Sequence, residues 1–255
     1  MSELDVTLTQ ADGQGKAEGQ ISSQVENFIA QHVDAIILNP FDREGCAPAV
    51  QKDVDAKIPL VVVNAQVTNL DLANTYVGSN DVEAGRIEMQ YIADLLKGKG
   101  DIAIIHRPNG HSTEVQRTQG NKEILQKYRD RKVLFEQTAN WDRAQALNLT
   151  ENWPQSGRPL NAMAAQNDEM VLGAYKAIEA AGKAKEIPVI GIDAIADAVK
   201  SVKECKMAAN VFQDGGGQGA TAVELAVKIL KGEQVPTVVD IRFKLITKEN
   251  VNTLQ

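Results

Sequence analysis

The stretch that decides the fold runs from Asp34-Ala-Ile-Ile-Leu-Asn39-Pro40, through a helical segment over 47–56, to Ile58-Pro-Leu-Val-Val-Val-Asn64. Both apolar runs are short, continuous and rich in branched side chains. That is the pattern of a strand covered on two faces, not of one with a wet side. Pro40 ends the first run, since it cannot donate to a ladder. An amphipathic helix between two such strands is the crossover that a parallel pair requires. The alternation predicts an α/β architecture.

The pattern continues outward in both directions. Upstream, Asp5-Val-Thr-Leu-Thr9 reads as a strand and 21–31 as a helix. Downstream, strands are expected at 75–78, 101–106, 133–137, 162–166, 188–192, 207–212 and 238–246. Helices are expected between them at 82–96, 113–128, 143–153, 169–181, 195–203 and 217–230. No internal repeat, low-complexity tract or interdomain linker interrupts this order. The chain reads as one body, or as two lobes joined by several strand crossings.

Several strands end in a polar side chain where a loop begins: Asn39, Asn64, Asn167, Asp193 and Gln213. In open parallel sheets, ligands sit beyond the carboxyl ends of the strands. Amides and carboxylates converging there suit a neutral, hydroxyl-rich ligand, because they offer paired donors and acceptors. For any one of them the alternative is an N-cap on the next helix.

Composition narrows the function classes. The chain has 255 residues, 43% of them hydrophobic, with 27 basic against 34 acidic side chains and a net charge of −7. A negative field repels phosphate backbones, which argues against a broad nucleic-acid surface. No run approaches the roughly 18 apolar residues of a membrane span. Cys46 and Cys205 have neither metal spacing nor a disulfide framework and read as two buried thiols. The start, Met-Ser-Glu-Leu-Asp, lacks the basic and apolar regions of an export signal.

Signals for chemistry are weak. Gly13-Gln-Gly15-Lys-Ala-Glu-Gly19 has one residue too many for a dinucleotide fingerprint. Gly215-Gly-Gly-Gln-Gly219 opens a helix; it could hold an anion, although tight helix–sheet packing is the preferred reading. No Walker sequence, GxSxG elbow or HExxH occurs. His32, His106 and His111 lack ligand spacing, and His111 lies in a loop that could face the crevice. Neither an enzymatic centre nor a cofactor is expected.

Gln166-Asn-Asp-Glu-Met170 with Leu172-Gly-Ala174 carries a family resemblance. So do Val77-Gly-Ser-Asn80 with Gly85, His111-Ser to Arg117-Thr-Gln-Gly120, Gly191-Ile-Asp193 and Val211-Phe-Gln-Asp214, in the same order. The chain resembles the periplasmic sugar-binding proteins of ABC transporters, of the ribose-binding type, from residue 4 to about 247. Gln137-Thr-Ala-Asn-Trp141 with Glu151-Asn-Trp153 looks like the branch that binds inositol and related cyclic polyols.

The resemblance implies a two-lobed type I fold, each lobe a mostly parallel, doubly wound sheet, joined by three hinge strands. The lobes would be 1–78 with 214–241, and 79–213 with 242–255. Ligand contacts would fall on Asn64, Arg117, Trp141, Asn167, Asp193 and Gln213. Trp141 would stack on a ring face, Arg117 would offer a fork of donors, and Asp193 would accept hydroxyl protons. The implied partners are a neutral monosaccharide or cyclic polyol and a transporter permease, and the implied location is the periplasm. The effector core of a LacI-type regulator shares the fold. It is the alternative, although it would need a basic helix-turn-helix ahead of the first strand.

Two departures stand out. Ala65 follows Asn64 where the family usually has an arginine. The family also opens with a strand and a helix before the segment that begins here at Leu4, and the loop after that strand carries an aromatic opposite Trp141. The chain therefore reads as N-terminally truncated, with a central strand missing between 5–9 and 34–39. Unpaired strand edges would then weaken binding, promote self-association, or leave folding to the second lobe.

Overall fold

The structure, a computed structural model, describes residues 6–11, 19–128 and 132–254. Asp5 and the glycine-dense run through residue 18 lie outside that set. The chain enters with α1 (Gly19–Ala30), β1 (Ile36–Leu38), α2 (Ala47–Asp55), β2 (Leu60–Val63) and β3 (Thr75–Gly78). It continues through α3 (Asp81–Leu95), β4 (Asp101–His106), α4 (Ser112–Leu125), β5 (Val133–Thr138) and α5 (Arg143–Thr150). Next come β6 (Leu160–Ala165), α6 (Asp168–Ala180), β7 (Val189–Asp193), α7 (Ala196–Lys203) and β8 (Ala209–Phe212). The last elements are α8 (Gly215–Leu230), β9 (Val238–Asp240) and β10 (Lys244–Ile246).

The strands form two sheets, one of order β1-β2-β3-β9 and one of order β10-β8-β7-β6-β4-β5. Every pairing is parallel except that of β10 with β8. The fold is therefore the mostly parallel α/β arrangement expected.

Alternation along each strand explains why both faces are dry. In the first sheet, Ile36, Leu38, Leu60 and Val62 pack with Val25, Ala49 and Val50 of α1 and α2. Val61 and Val77, pointing the other way, meet Ala222, Leu225 and Ala226 of α8. In the second sheet, Ile105, Met163 and Ala165 pack with Val171, Ala174 and Ile178 of α6. Ile102, Ile104, Ala164 and Ile192 meet Met89 and Ile92 of α3 and Ile124 of α4. Helices α3 and α4 approach closely through Gly85 and Gly120. A Cβ at either would lie 2.1 Å from a carbonyl oxygen, that of Arg117 or Val82 respectively.

Two expectations are corrected. The run 238–246 is not one strand: Asp240 pairs with Gly78 in the first sheet and Lys244 with Phe212 in the second. The sequence holds no breaker there; the chain simply crosses from one sheet to the other. Residues 6–9 form no strand and are exposed. A lone extended segment gains no ladder bonds, and β1 pairs only with β2 among the described residues.

Three crossings, at 78–81, 212–215 and 240–244, run side by side between the sheets. The Ile241 N–H donates to the Gly78 carbonyl at 2.7 Å, and Gln218 Nε2 donates to Ser79 Oγ at 2.8 Å. Both side chains of the second bond are buried. The carboxyl ends of the two sets of strands consequently face one another across a cleft.

Candidate ligand-binding cleft

Two adjoining cavities, of about 560 and 660 Å³, open between the sheets. Asn39, Asn64, Arg107 and Asp193 line both. Gln213 lines the smaller cavity, and Trp141, Asn167, His111 and Phe41 line the larger. The five polar strand-end residues thus come together, along with the indole.

Of those five, only Asn167 acts as an N-cap, its Oδ1 accepting from the Met170 N–H at 3.0 Å. It lines the cavity as well. Asn64, Gln213 and Arg117 form a relay across the cleft floor. Gln213 Nε2 donates to Asn64 Oδ1 at 2.8 Å, and Arg117 Nη2 donates to Gln213 Oε1 at 3.0 Å.

Arg117 is not on the cavity wall. Its side chain is 0% exposed, and its fork is spent on Asp81 Oδ1 (2.7 Å), the Gln166 carbonyl (2.6 Å) and Gln213. Through Gln213 it braces the cleft from behind. Its local sequence, on the buried face of α4 beneath Gly85, explains why: the helix contact seals it in.

The arginine that does reach the cleft is Arg107, just beyond β4. Its Nη2 donates to Asp193 Oδ1 at 3.0 Å, Nη1 to Thr113 Oγ1 at 2.9 Å, and Nε to the Gln166 carbonyl at 2.8 Å. Burial and the neighbouring Arg117 charge push Arg107 down to about 10, with Asp193 opposing. It remains charged at neutral pH. Ala65, where the resemblance implied an arginine, is buried and brings no polar group to the cleft.

Backbone strain concentrates here. Asn64, Asn140, Trp141, Asp193 and Ala194 all have positive φ, of 63, 52, 60, 125 and 60°. The remaining non-glycine cases, His32, Lys57, Lys97 and Cys205, follow helix ends, where a left-handed residue is the ordinary terminator. In the cleft, strain persists because surrounding bonds over-determine it. The Asn64 N–H donates to the Val77 carbonyl at 2.9 Å, while the Asn64 carbonyl accepts from Tyr76 Oη at 2.6 Å. The Ile195 N–H donates to Asp168 Oδ2 at 2.9 Å, fixing the turn that presents Asp193. Burial, then the charge of Asp193, raises the Asp168 carboxyl well above the ordinary range.

Aromatic rings close the larger cavity. Trp141 meets Phe41 and His111 edge-to-face, with centroids 5.2 and 5.0 Å apart. Phe41, from the loop after β1, supplies an aromatic on the first-sheet side. Its signal was visible in sequence, immediately after Asn39-Pro40, but an aromatic in a loop is too common to single out. Trp153, by contrast, is core, stacked on Phe135 at 4.9 Å. The loops also meet across the cleft mouth: the Gln66 N–H donates to Ser112 Oγ and Gln116 Nε2 to Gln66 Oε1, each at 2.8 Å.

Other expectations change. The glycines opening α8 are not explained by tight packing: a Cβ at Gly215 or Gly219 would meet nothing within 4 Å. At Gly217 its nearest neighbours would be the carboxyl atoms of the Asp214 cap. Cys46 is buried but Cys205 is exposed, with Lys248 Nζ 2.8 Å from its sulfur. Among the described residues no group of His, Cys, Asp and Glu could hold a metal, and no helix is long and apolar enough to cross a membrane.

A sequence model described as a periplasmic binding protein domain matches residues 1–234. This chain belongs to the periplasmic binding protein family. A putative rhizopine-binding protein of Rhizobium meliloti is 38% identical over 91% of this chain and 77% of its own length. A xylitol-binding protein of Mycolicibacterium smegmatis is 40% identical over 91% of this chain; the chain spans 66% of that relative. The solved structure of an ABC transporter solute binding protein from Bacillus halodurans, with bound myo-inositol, is 41% identical. It superposes with a TM-score of 0.91, over 95% of this chain and 84% of that one. The periplasmic binding protein fold of this chain is the type I arrangement those neighbours share.

Proposed function

We propose that the chain is the solute-binding component of an ABC importer and takes a neutral monosaccharide or cyclic polyol between two lobes. The lobes would be 1–78 with 214–241 and 79–213 with 242–255. Asn64, Trp141, Asn167, Asp193 and Gln213 would touch the ligand, and Arg117 would hold Gln213 in place. The observation that carries this is the meeting of an indole with amides and one carboxylate on shared cavity walls supplied by both sheets. The relatives that bind polyols, by their names, support the ligand class.

The charges support a neutral ligand. Arg117 pairs with Asp81, Arg107 with Asp193, and burial keeps His111 uncharged, down at about 3. The carboxylate left without a basic partner on the walls is Asp214, the α8 cap at the smaller cavity, and its negative charge disfavours an anionic ligand. Closure follows from population shift: a ligand bonded to Asn64 on one side and Asp193 on the other favours the closed form by its differential affinity. The closed form would present both lobes to the periplasmic face of a permease.

Isothermal titration calorimetry with myo-inositol, xylitol, D-ribose and D-allose tests the reading. At least one is expected to bind saturably, and Trp141→Ala is expected to weaken it tenfold or more. Absence of binding by all four in a folded sample would sink it.

A further inference from the structure

Arg107, Thr113 and His111 form a connected set on the cleft wall, outside the ligand contacts proposed above. A guanidinium has five N–H donors. Three are used, on Asp193, Thr113 and the Gln166 carbonyl, which leaves one on each terminal nitrogen. Arg107 lines both cavities.

The Thr113 hydroxyl accepts from Arg107, so its own proton goes on to His111 Nδ1, 2.8 Å away. The Thr113 backbone N–H donates to the same nitrogen at 3.2 Å, as His111 caps α4. Nδ1 is therefore an acceptor, and the imidazole proton sits on Nε2. Nε2 has no hydrogen-bond partner among the described residues, and the ring lines the larger cavity. Phe41 and Trp141 hold the ring edge-on.

Asp193 supplies the opposite polarity. Its Oδ1 accepts from Arg107, while Oδ2 accepts from no protein donor among the described residues. Three unused donors thus share the larger cavity with one open carboxylate oxygen. A hydroxyl can satisfy both, accepting from Arg107 while donating to Asp193; an anionic oxygen can only accept and would be repelled.

We propose that Arg107 and His111, coupled through Thr113, are ligand-contacting residues that grip two adjacent hydroxyls and set the preference for a neutral vicinal polyol. This rests on the polyol-binding reading given above. The relay through Thr113 fixes the imidazole tautomer, so the grip does not depend on a titrating group in the neutral range.

The test compares wild type with Arg107→Lys, Thr113→Val and His111→Phe by calorimetry, using myo-inositol, xylitol and D-ribose. Lysine keeps the charge but loses the fork, and phenylalanine keeps the aromatic contacts. Arg107→Lys is expected to weaken the wild-type ligand about 100-fold, and His111→Phe about tenfold, with circular dichroism unchanged. Thr113→Val removes the hydroxyl link but keeps the backbone N–H on Nδ1, so it is expected to shift the ¹⁵N imidazole resonances without moving the proton from Nε2, and to weaken binding severalfold. Where myo-inositol binds, a monodeoxy analogue lacking one gripped hydroxyl should lose affinity in wild type but not in Arg107→Lys. Wild-type binding retained within threefold in both Arg107→Lys and His111→Phe overturns the proposal while leaving the polyol reading intact. A folded wild type that binds none of myo-inositol, xylitol, D-ribose and D-allose overturns both together.

Discussion

The two sheets contribute unequally to the cleft. The four-stranded sheet has strands of three or four residues and supplies Asn39, Phe41 and Asn64. The six-stranded sheet has strands of up to six residues and supplies Arg107, His111, Trp141, Asn167, Asp193 and Gln213. Its strand β4, the source of Arg107, is paired on both sides, whereas β1, the source of Asn39 and Phe41, has one neighbour among the described residues. The difference teaches where precision resides. Charged groups are presented by the deeper, better-paired sheet, and the thinner sheet offers amides and a ring that tolerate small displacements.

The strongest way to break that comparison is Arg117→Ala. It strands Asp81, itself buried, without its cation, and a loss of about 3–5 kcal/mol is expected in denaturant unfolding. A loss under about 1 kcal/mol would show that the six-stranded half does not depend on this pair.

Next in size is Asp53, in α2 beside the four-stranded sheet. Burial pushes its carboxyl up to about 7, and neither oxygen has a hydrogen-bond partner among the described residues. The unfolded chain releases this proton near pH 4 and the folded chain near 7. Between those values the folded state binds more protons, so stability is present below about pH 4 and is lost as pH rises through 7. Asp53→Asn should therefore stabilise the protein at pH 8 by a few kcal/mol and leave it little changed at pH 4. Glu88, on α3 of the other half, is likewise pushed up to about 7 by burial, but Asn121 bonds it and Arg117 favours its charge. Glu88→Gln is expected to gain less. An equal gain would erase the contrast.

Hydrogen exchange sharpens the comparison further. Amides of β1, paired on one side among the described residues, should open at least about 2 kcal/mol below those of β4. Equal protection would mean that both halves unfold as one unit. The smallest effect belongs to Arg143, which joins Glu169 and Asp197 at the exposed surface of the six-stranded half. Arg143→Ala should cost about 0.2–1 kcal/mol in thermal unfolding, and less in high salt.

Much of the fold was legible because buried parallel strands must be continuously apolar. Ile36–Leu38 and Leu60–Val63 could not have been placed at a wet surface. The split of 238–246 was not legible, since β9 and β10 differ in their neighbours and not in their own residues. Of the five strand-end polar residues, the sequence could name the group but not its divisions. Asn167 caps a helix, Asp193 receives Arg107, and Asn64 and Gln213 bond each other across 149 positions. Cys205, read as buried, lies exposed just after α7, where no local pattern distinguishes core from surface.

Alternation of strand and helix, and polar residues at strand ends, were determined by the chain alone, because periodicity and burial of apolar runs are local properties. Which arginine faces the cleft was decided only by tertiary structure. Arg117 and Arg107 are ten positions apart on neighbouring elements, but the Gly85–Gly120 helix contact buries one. The end of β4 aims the other at Asp193, 86 positions away. A side chain's exposure depends on what packs over it, and that neighbour comes from far along the sequence.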